Sequence, residues 1–135
     1  MFSHVTVGTN NLPKAEAFYN AILLPLDLKQ RKIIPDGGPA SCCWVRDDDP
    51  LPRFYVYSPV NKALANTGNG SMIAFLATST TSVDTSYNAG IEMGAKCEGK
   101  PGPRNHYGKG YYGAYLRDLD GNKIHIVCRD DVKGV

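Results

Sequence analysis

Two rhythms run along this chain. From Phe2 to Gly8 apolar and polar positions alternate, with Val5 and Val7 on one side and His4 and Thr6 on the other, the period of a half-buried strand. Asn10 and Asn11 followed by Leu12-Pro13 form a helix-start signal, and Ala15, Phe18, Tyr19 and Ile22 then recur at helical spacing. The pattern predicts an amphipathic helix over 13–24, stopped by Pro25. A strand with a basic outer side is expected over 26–34, and a turn or flexible loop at Pro35-Asp36-Gly37-Gly38-Pro39. Two further strands, 40–46 and 53–58, flank an acidic, proline-bearing turn. The first half therefore reads β-α-β-β-β.

The second half repeats this order. A polar, glycine-bearing connection over 61–70 leads to a strand over 71–77 and a helix over 80–94, opened by a Thr/Ser cluster and closed by glycine. A short strand over 95–98 and a loop over 100–110 precede a hairpin, Tyr111 to Val127, built on the Asp118-Leu119-Asp120-Gly121-Asn122 turn. On the hairpin's second strand Ile124, Ile126 and Cys128 share one face, with Lys123, His125 and Val127 on the other.

The repetition extends to residues. His4-Val5-Thr6-Val7 precedes Met72-Ile73-Ala74-Phe75 by 68 positions, and at the same offset Tyr19-Asn20-Ala21 meets an identical Tyr87-Asn88-Ala89. Trp44-Val45-Arg46-Asp47 matches Tyr115-Leu116-Arg117-Asp118, and Arg53-Phe54-Tyr55-Val56 matches Lys123-Ile124-His125-Ile126, at offsets of 70 to 71. Two copies of such a unit predict an α+β fold of tandem βαβββ modules with pseudo-two-fold symmetry: module one over 1–60, module two over 71–130, in a single domain.

Composition narrows the function classes. A net charge of +2 spread over 135 residues leaves no nucleic-acid footprint, and no apolar run approaches the ~18 residues of a membrane span. Met1-Phe2-Ser3-His4 enters a strand directly, without a leader-like segment, so a cytoplasmic protein is expected. Cys42, Cys43, Cys97 and Cys128 lack metal-site spacing, and three sit within strand-like runs, as small buried hydrophobes do. Gly108-Lys109-Gly110 lacks the strand–loop–helix setting of a phosphate loop, and Asp47-Asp48-Asp49 reads as a solvated turn.

One helix covers one sheet face, so the apolar neighbours Val5, Phe54, Val56, Ile73, Phe75, Ile124 and Ile126 should pack beneath the helices. His4, Tyr55, Met72 and His125, which occupy equivalent places in the repeat, must then face the other way. Trp44, Tyr57 and Tyr115 are expected there too, making an aromatic-lined concavity suited to a small organic ligand. The rings also have a plainer reading, as core or dimer contacts. Arg104 could hold a ligand carboxylate or phosphate or simply face solvent, and His106 is either solvated or part of a lid.

These residues carry a family resemblance. The doubled βαβββ pattern, His4-Val5 ahead of a helix with Phe18-Tyr19, the Pro101-Gly102-Pro103-Arg104 loop and the closing Asp118-Leu119-Asp120-Gly121-Asn122-Lys123-Ile124 resemble the vicinal oxygen chelate superfamily. That superfamily includes glyoxalase I, extradiol dioxygenases and the fosfomycin- and bleomycin-resistance proteins. In its metal-dependent members the four equivalent positions supply His, Gln or Glu ligands, with Glu usual on the last strand. The resemblance implies His4 and His125 as ligands of a divalent ion (Zn, Ni, Mn or Fe). Tyr55 and Met72 depart from the pattern: a phenol is mostly neutral at pH 7, and a thioether suits soft ions. A site without a carboxylate has no charge to offset a dication, so only weak metal binding is expected.

Two function classes stay open. One is a small-molecule binder resembling the bleomycin-resistance proteins, with Trp44, Tyr55, Tyr57, Met72, Arg104 and Tyr115 around the ligand. The other is a metal-dependent lyase, isomerase or dioxygenase using His4 and His125. A homodimer is expected in either case, because the chain has no spare layer for the concave face.

Overall fold

Asn11 accepts a 3.1 Å hydrogen bond from the Lys14 amide and so opens helix α1 (Leu12–Leu23), with Pro13 in its first turn. Ala15, Phe18, Tyr19, Ile22 and Leu23 form its buried face. Ser79 caps helix α2 (Thr80–Glu92) through a 3.0 Å bond from Ser82 N, and its buried face is smaller, made of Val83, Ser86, Tyr87 and Gly90. The small face lets the two helices approach: Ser86 Oγ donates to Ile22 O at 2.7 Å. A Cβ on Gly90 would lie 2.8 Å from Leu116 Cδ1.

The computed structural model describes residues 1–132. Strands β1 (His4–Gly8), β2 (Leu28–Arg31), β3 (Ser41–Arg46) and β4 (Arg53–Tyr57) form one sheet in the order β1-β4-β3-β2. Strands β5 (Ile73–Leu76), β6 (Lys96–Pro103), β7 (Tyr112–Arg117) and β8 (Lys123–Cys128) form a second, β5-β8-β7-β6. Each sheet has one parallel pair, β1–β4 or β5–β8, and otherwise runs antiparallel. This is an α+β architecture of two βαβββ modules. The ladders repeat as well as the elements, since Val5 partners Phe54 in one module and Ile73 partners Ile124 in the other.

Two stretches differ from the sequence expectation. The strand expected over 26–34 pairs only over Leu28–Arg31, where it meets β3. The segment expected as a short strand and a loop is instead an eight-residue strand, β6, running into Lys100-Pro101-Gly102-Pro103. Prolines are tolerated there because β6 is the sheet's edge, and its register shifts between Cys97 and Gly99 and again between Gly99 and Gly102. A single 3₁₀ turn, Asn105–Tyr107, follows.

One core joins the modules. Phe54 and Phe75 meet edge to face with centroids 5.0 Å apart. The β7–β8 turn docks on the first module, where buried Asp118 accepts from Tyr19 Oη at 2.5 Å. It also accepts from Asp120 N, Asn122 N and Asn122 Nδ2. Asn122 Nδ2 donates onward to Gly8 O at 3.0 Å, and Asn10 N donates to Asp120 Oδ1 at 2.8 Å. Among the described residues no helix is long and apolar enough to cross a membrane.

Candidate functional site

Residues paired across a sheet share a face. Tyr55 pairs with Thr6 and Cys43, and Tyr57 with Gly8, so these side chains point away from α1, together with His4. In the second module His125 pairs with Ala74 and Tyr115, and one step along the same ladder sets Met72 beside Lys123. Two aromatic groups result. His4 meets Tyr55 edge-on at 5.5 Å, and Tyr55 lies 5.5 Å from Tyr57.

Trp44 is the exception and corrects the sequence reading. It pairs with Phe54, is fully buried, and lies 5.7 Å from Tyr19 and 5.9 Å from Phe54 by ring centroids. Its Nε1 donates to Asn20 Oδ1 at 2.9 Å. The cause is a register slip. Aligning the two Arg-Asp turns sets Trp44 against Tyr115, whereas the ladders set it against Leu116, the partner of Ile124. A slip of one residue reverses the face.

His125 faces as the parity argument requires, yet it is only 1 % exposed. Its ring stacks on Tyr115 at 4.0 Å and 11°, with Tyr111 at 5.8 Å and 17°. Nδ1 lies 2.8 Å from Ala114 O, and Nε2 lies 2.8 Å from Tyr111 Oη. A carbonyl only accepts, so Nδ1 carries the proton, and in the neutral ring Nε2 accepts from the phenol. Burial is the main influence that holds this imidazole below the ordinary histidine pKa. The Ala114 bond opposes that shift, and the positive charges of Arg104 and Lys123 add to it. Gly113 makes the arrangement possible, because a Cβ there would stand 2.5 Å from His125 Cε1.

Next to this stack lies a cavity of about 350 Å³. Met72, Tyr107 and Tyr115 line it, with Arg104, Lys123, His106 and Glu98 at its polar side. The β6 bulge and the 3₁₀ turn bring Arg104, His106 and Tyr107 over the β7–β8 ladder. Arg104 is anchored by three backbone carbonyls: Nη1 donates to Gly102 O and Pro103 O, and Nη2 to Lys100 O at 2.7 Å. A second cavity of about 280 Å³ follows the seam between the modules, where Thr6 and Gly8 face Met72, Asn122 and Lys123. Met72 and Lys123 wall both.

The sequence expectation named Met72, Arg104 and Tyr115, which the fold brings to one cavity, and Tyr55 and Tyr57, which it leaves on the first module's face. It passed over Tyr107, Tyr111 and Lys123. Lys123 was within reach of parity, since it shares the face of His125. Tyr107 carried no sequence signal, because the 3₁₀ turn that places it was expected to be a loop, whereas Tyr111, at the start of the expected hairpin, shares the parity of Tyr115.

The donor set does not suit a divalent ion. His4 is exposed with Nδ1 at 3.1 Å from Ser3 Oγ, while His125 has both ring nitrogens in hydrogen bonds. Among the described residues no three His, Cys, Asp or Glu side chains converge as a metal-binding group. A metal on His125 would require Nε2 to give up Tyr111. His125 thus keeps the direction expected of it, with both ring nitrogens engaged by Tyr111 and Ala114.

Two βαβββ modules with an aromatic cleft define a class of proteins, and the family follows from it. The model of the Glyoxalase/Bleomycin resistance protein/Dioxygenase superfamily matches residues 1–126, and the chain belongs to that family. A glyoxalase/bleomycin resistance protein from Albidiferax ferrireducens T118 is 37% identical, covers 96% of this chain and 98% of its own, and superposes with a TM-score of 0.81. Two others share the fold at lower identity. A glyoxalase/bleomycin resistance protein/dioxygenase family enzyme from Burkholderia phytofirmans PsJN is 18% identical, with a TM-score of 0.70 over 93% of this chain and 96% of its own. A lactoylglutathione lyase from Agrobacterium tumefaciens is 16% identical, with a TM-score of 0.65 over 100% of this chain and 97% of its own. No curated protein matches the chain.

Proposed function

We propose that this protein binds a small planar organic molecule in the Met72–Tyr107–Tyr115 cavity, without a divalent ion held by His4 and His125. The observation that carries this reading is the state of His125. The imidazole that a metal-dependent relative would turn toward the ion is here bonded to Tyr111 and Ala114 and stacked beneath Tyr115. Used this way, the ring supports an aromatic wall instead of a metal. The lyase, isomerase or dioxygenase alternative would need Nε2 released from Tyr111, and no contact in the site favours that. A homodimer sheltering the open face belongs to the same proposal.

Calorimetric titration of the untagged protein with Zn²⁺ and Ni²⁺ should give no stoichiometric binding. Planar aromatic compounds should raise the melting temperature with the logarithm of their concentration above Kd, and Tyr115→Ala should abolish that shift. Stoichiometric metal binding lost in both His4→Ala and His125→Ala would overturn the proposal and restore the enzyme reading.

A further inference from the structure

The charge on the cavity wall is uneven. Lys123 Nζ lies 5.3 Å and Arg104 Cζ 5.8 Å from the centroid of the Tyr115 ring. Among the described residues neither has a carboxylate within ion-pair distance, whereas Glu98, the one acid on this wall, is paired with Arg117 at 3.0 Å. Arg104 is fixed by the carbonyls of Lys100, Gly102 and Pro103, which engage three of its N–H donors without cancelling its charge. Contact with the Tyr115 ring does not cancel it either, since a ring quadrupole carries no net charge. Two cations therefore converge on one tyrosine, beside a hollow large enough for a single-ring molecule.

We propose that the cavity selects a small planar organic anion, with its negative group at Lys123 and Arg104 and its ring along Tyr107 and Met72. This rests on the reading of the cavity as a ligand site and adds the charge of the ligand to it. Lys123 supplies the direct hydrogen bond, because its ammonium donors are uncommitted to any carboxylate among the described residues. Arg104 supplies a fixed positive field, since its terminal nitrogens are already engaged by backbone oxygens. A ligand with a positive group would meet two like charges there.

Three probes of one shape isolate charge: benzoate, benzamide and benzamidine. Each is titrated into the full chain while amide resonances of Met72, Tyr107, Tyr115 and Lys123 are followed by NMR. Benzoate should bind about tenfold tighter than benzamide, and benzamidine weakest of the three. Added salt should weaken benzoate, leave benzamide unchanged and relieve the repulsion of benzamidine, because screening acts only on the charged probes. Lys123→Gln should remove most of the advantage of benzoate over benzamide, leaving the part that Arg104 supplies, and Lys123→Arg should restore the difference. Equal affinity for benzoate and benzamide, or unchanged benzoate binding in Lys123→Gln, overturns the charge inference and leaves the ligand site standing. If none of the three moves these resonances, the ligand-site reading falls and the inference falls with it.

Discussion

At position 125 an imidazole that parity alone would leave lining a cleft is enclosed between two tyrosines and hydrogen-bonded at both nitrogens. Its pKa lies below 6.5 in the folded protein, with burial as the main cause. As pH falls, the unfolded chain therefore takes up this proton before the folded chain does. The contribution to stability is complete above the unfolded value of about 6.5 and is lost as pH falls toward the lower folded value. The groups facing the ring are Tyr111, Tyr115, Arg104 and Lys123; the two cations work in the same direction as burial. Urea denaturation on either side of that window should show a loss of stability in the native protein that is much smaller in His125→Gln. Equal losses in both would place the titrating group elsewhere. Gly113→Ala should cost ~1–3 kcal/mol, the usual range for overpacking, because the new methyl meets the imidazole. The same urea midpoints measure it.

Among the elements, the β7–β8 turn does more than reverse the chain. The four hydrogen bonds accepted by Asp118 organise the turn internally and tie it to Tyr19 of the opposite module. Burial and the Asp118 carboxylate hold the Tyr19 phenol well above its ordinary pKa, so it remains a donor throughout the pH range of the fold. Tyr19→Phe should destabilise the protein by ~1.5–3 kcal/mol, the worth of a hydrogen bond to a charged group. Asp118→Ala should cost more, because it strands buried donors in both modules. Equilibrium denaturation of the two variants orders them, and the reverse order would mean that the turn is held by its backbone alone. A loss of cooperativity in Asp118→Ala would show that the clasp couples the modules.

For the whole molecule, each helix covers one face of its own sheet, and among the described residues no helix or sheet packs on the other face, which the segment around Tyr107 overlies only in part. Met72 and Leu76 are 42 % and 44 % exposed along the β5 edge of that face, where Ala74 is exposed as well. A second copy covering this face would bury them, and light scattering over a concentration series should show a dimer. Leu76→Lys, at a position outside both cavities, should shift that equilibrium toward monomer without unfolding the chain. A native protein that stays monomeric at high concentration would rule the dimer out.

Much of the architecture was already legible as periodicity. Strand and helix rhythms, the Tyr19-Asn20-Ala21 and Tyr87-Asn88-Ala89 match, and the Asp-Gly turn are local signals, and local sterics and amphipathicity act within a few residues. They defined two βαβββ modules and the outward direction of His4, Tyr55, Tyr57, Tyr115 and His125. What they lacked was register, which depends on pairing between strands distant in sequence. One residue of slip in the repeat set Trp44 toward the cleft in the sequence alignment, whereas its strand pairing turns it into the core. The same limit hid the second part of the β6 edge strand, whose prolines are admissible only because no further strand among the described residues lies beyond it. Tertiary packing alone decided that Tyr111 occupies the nitrogen a metal would need, and that Lys123 and Arg104 meet over Tyr115. Those contacts join a bulged edge strand, a 3₁₀ turn and a hairpin. No linear pattern records such a meeting, because its geometry exists only once the sheet has closed.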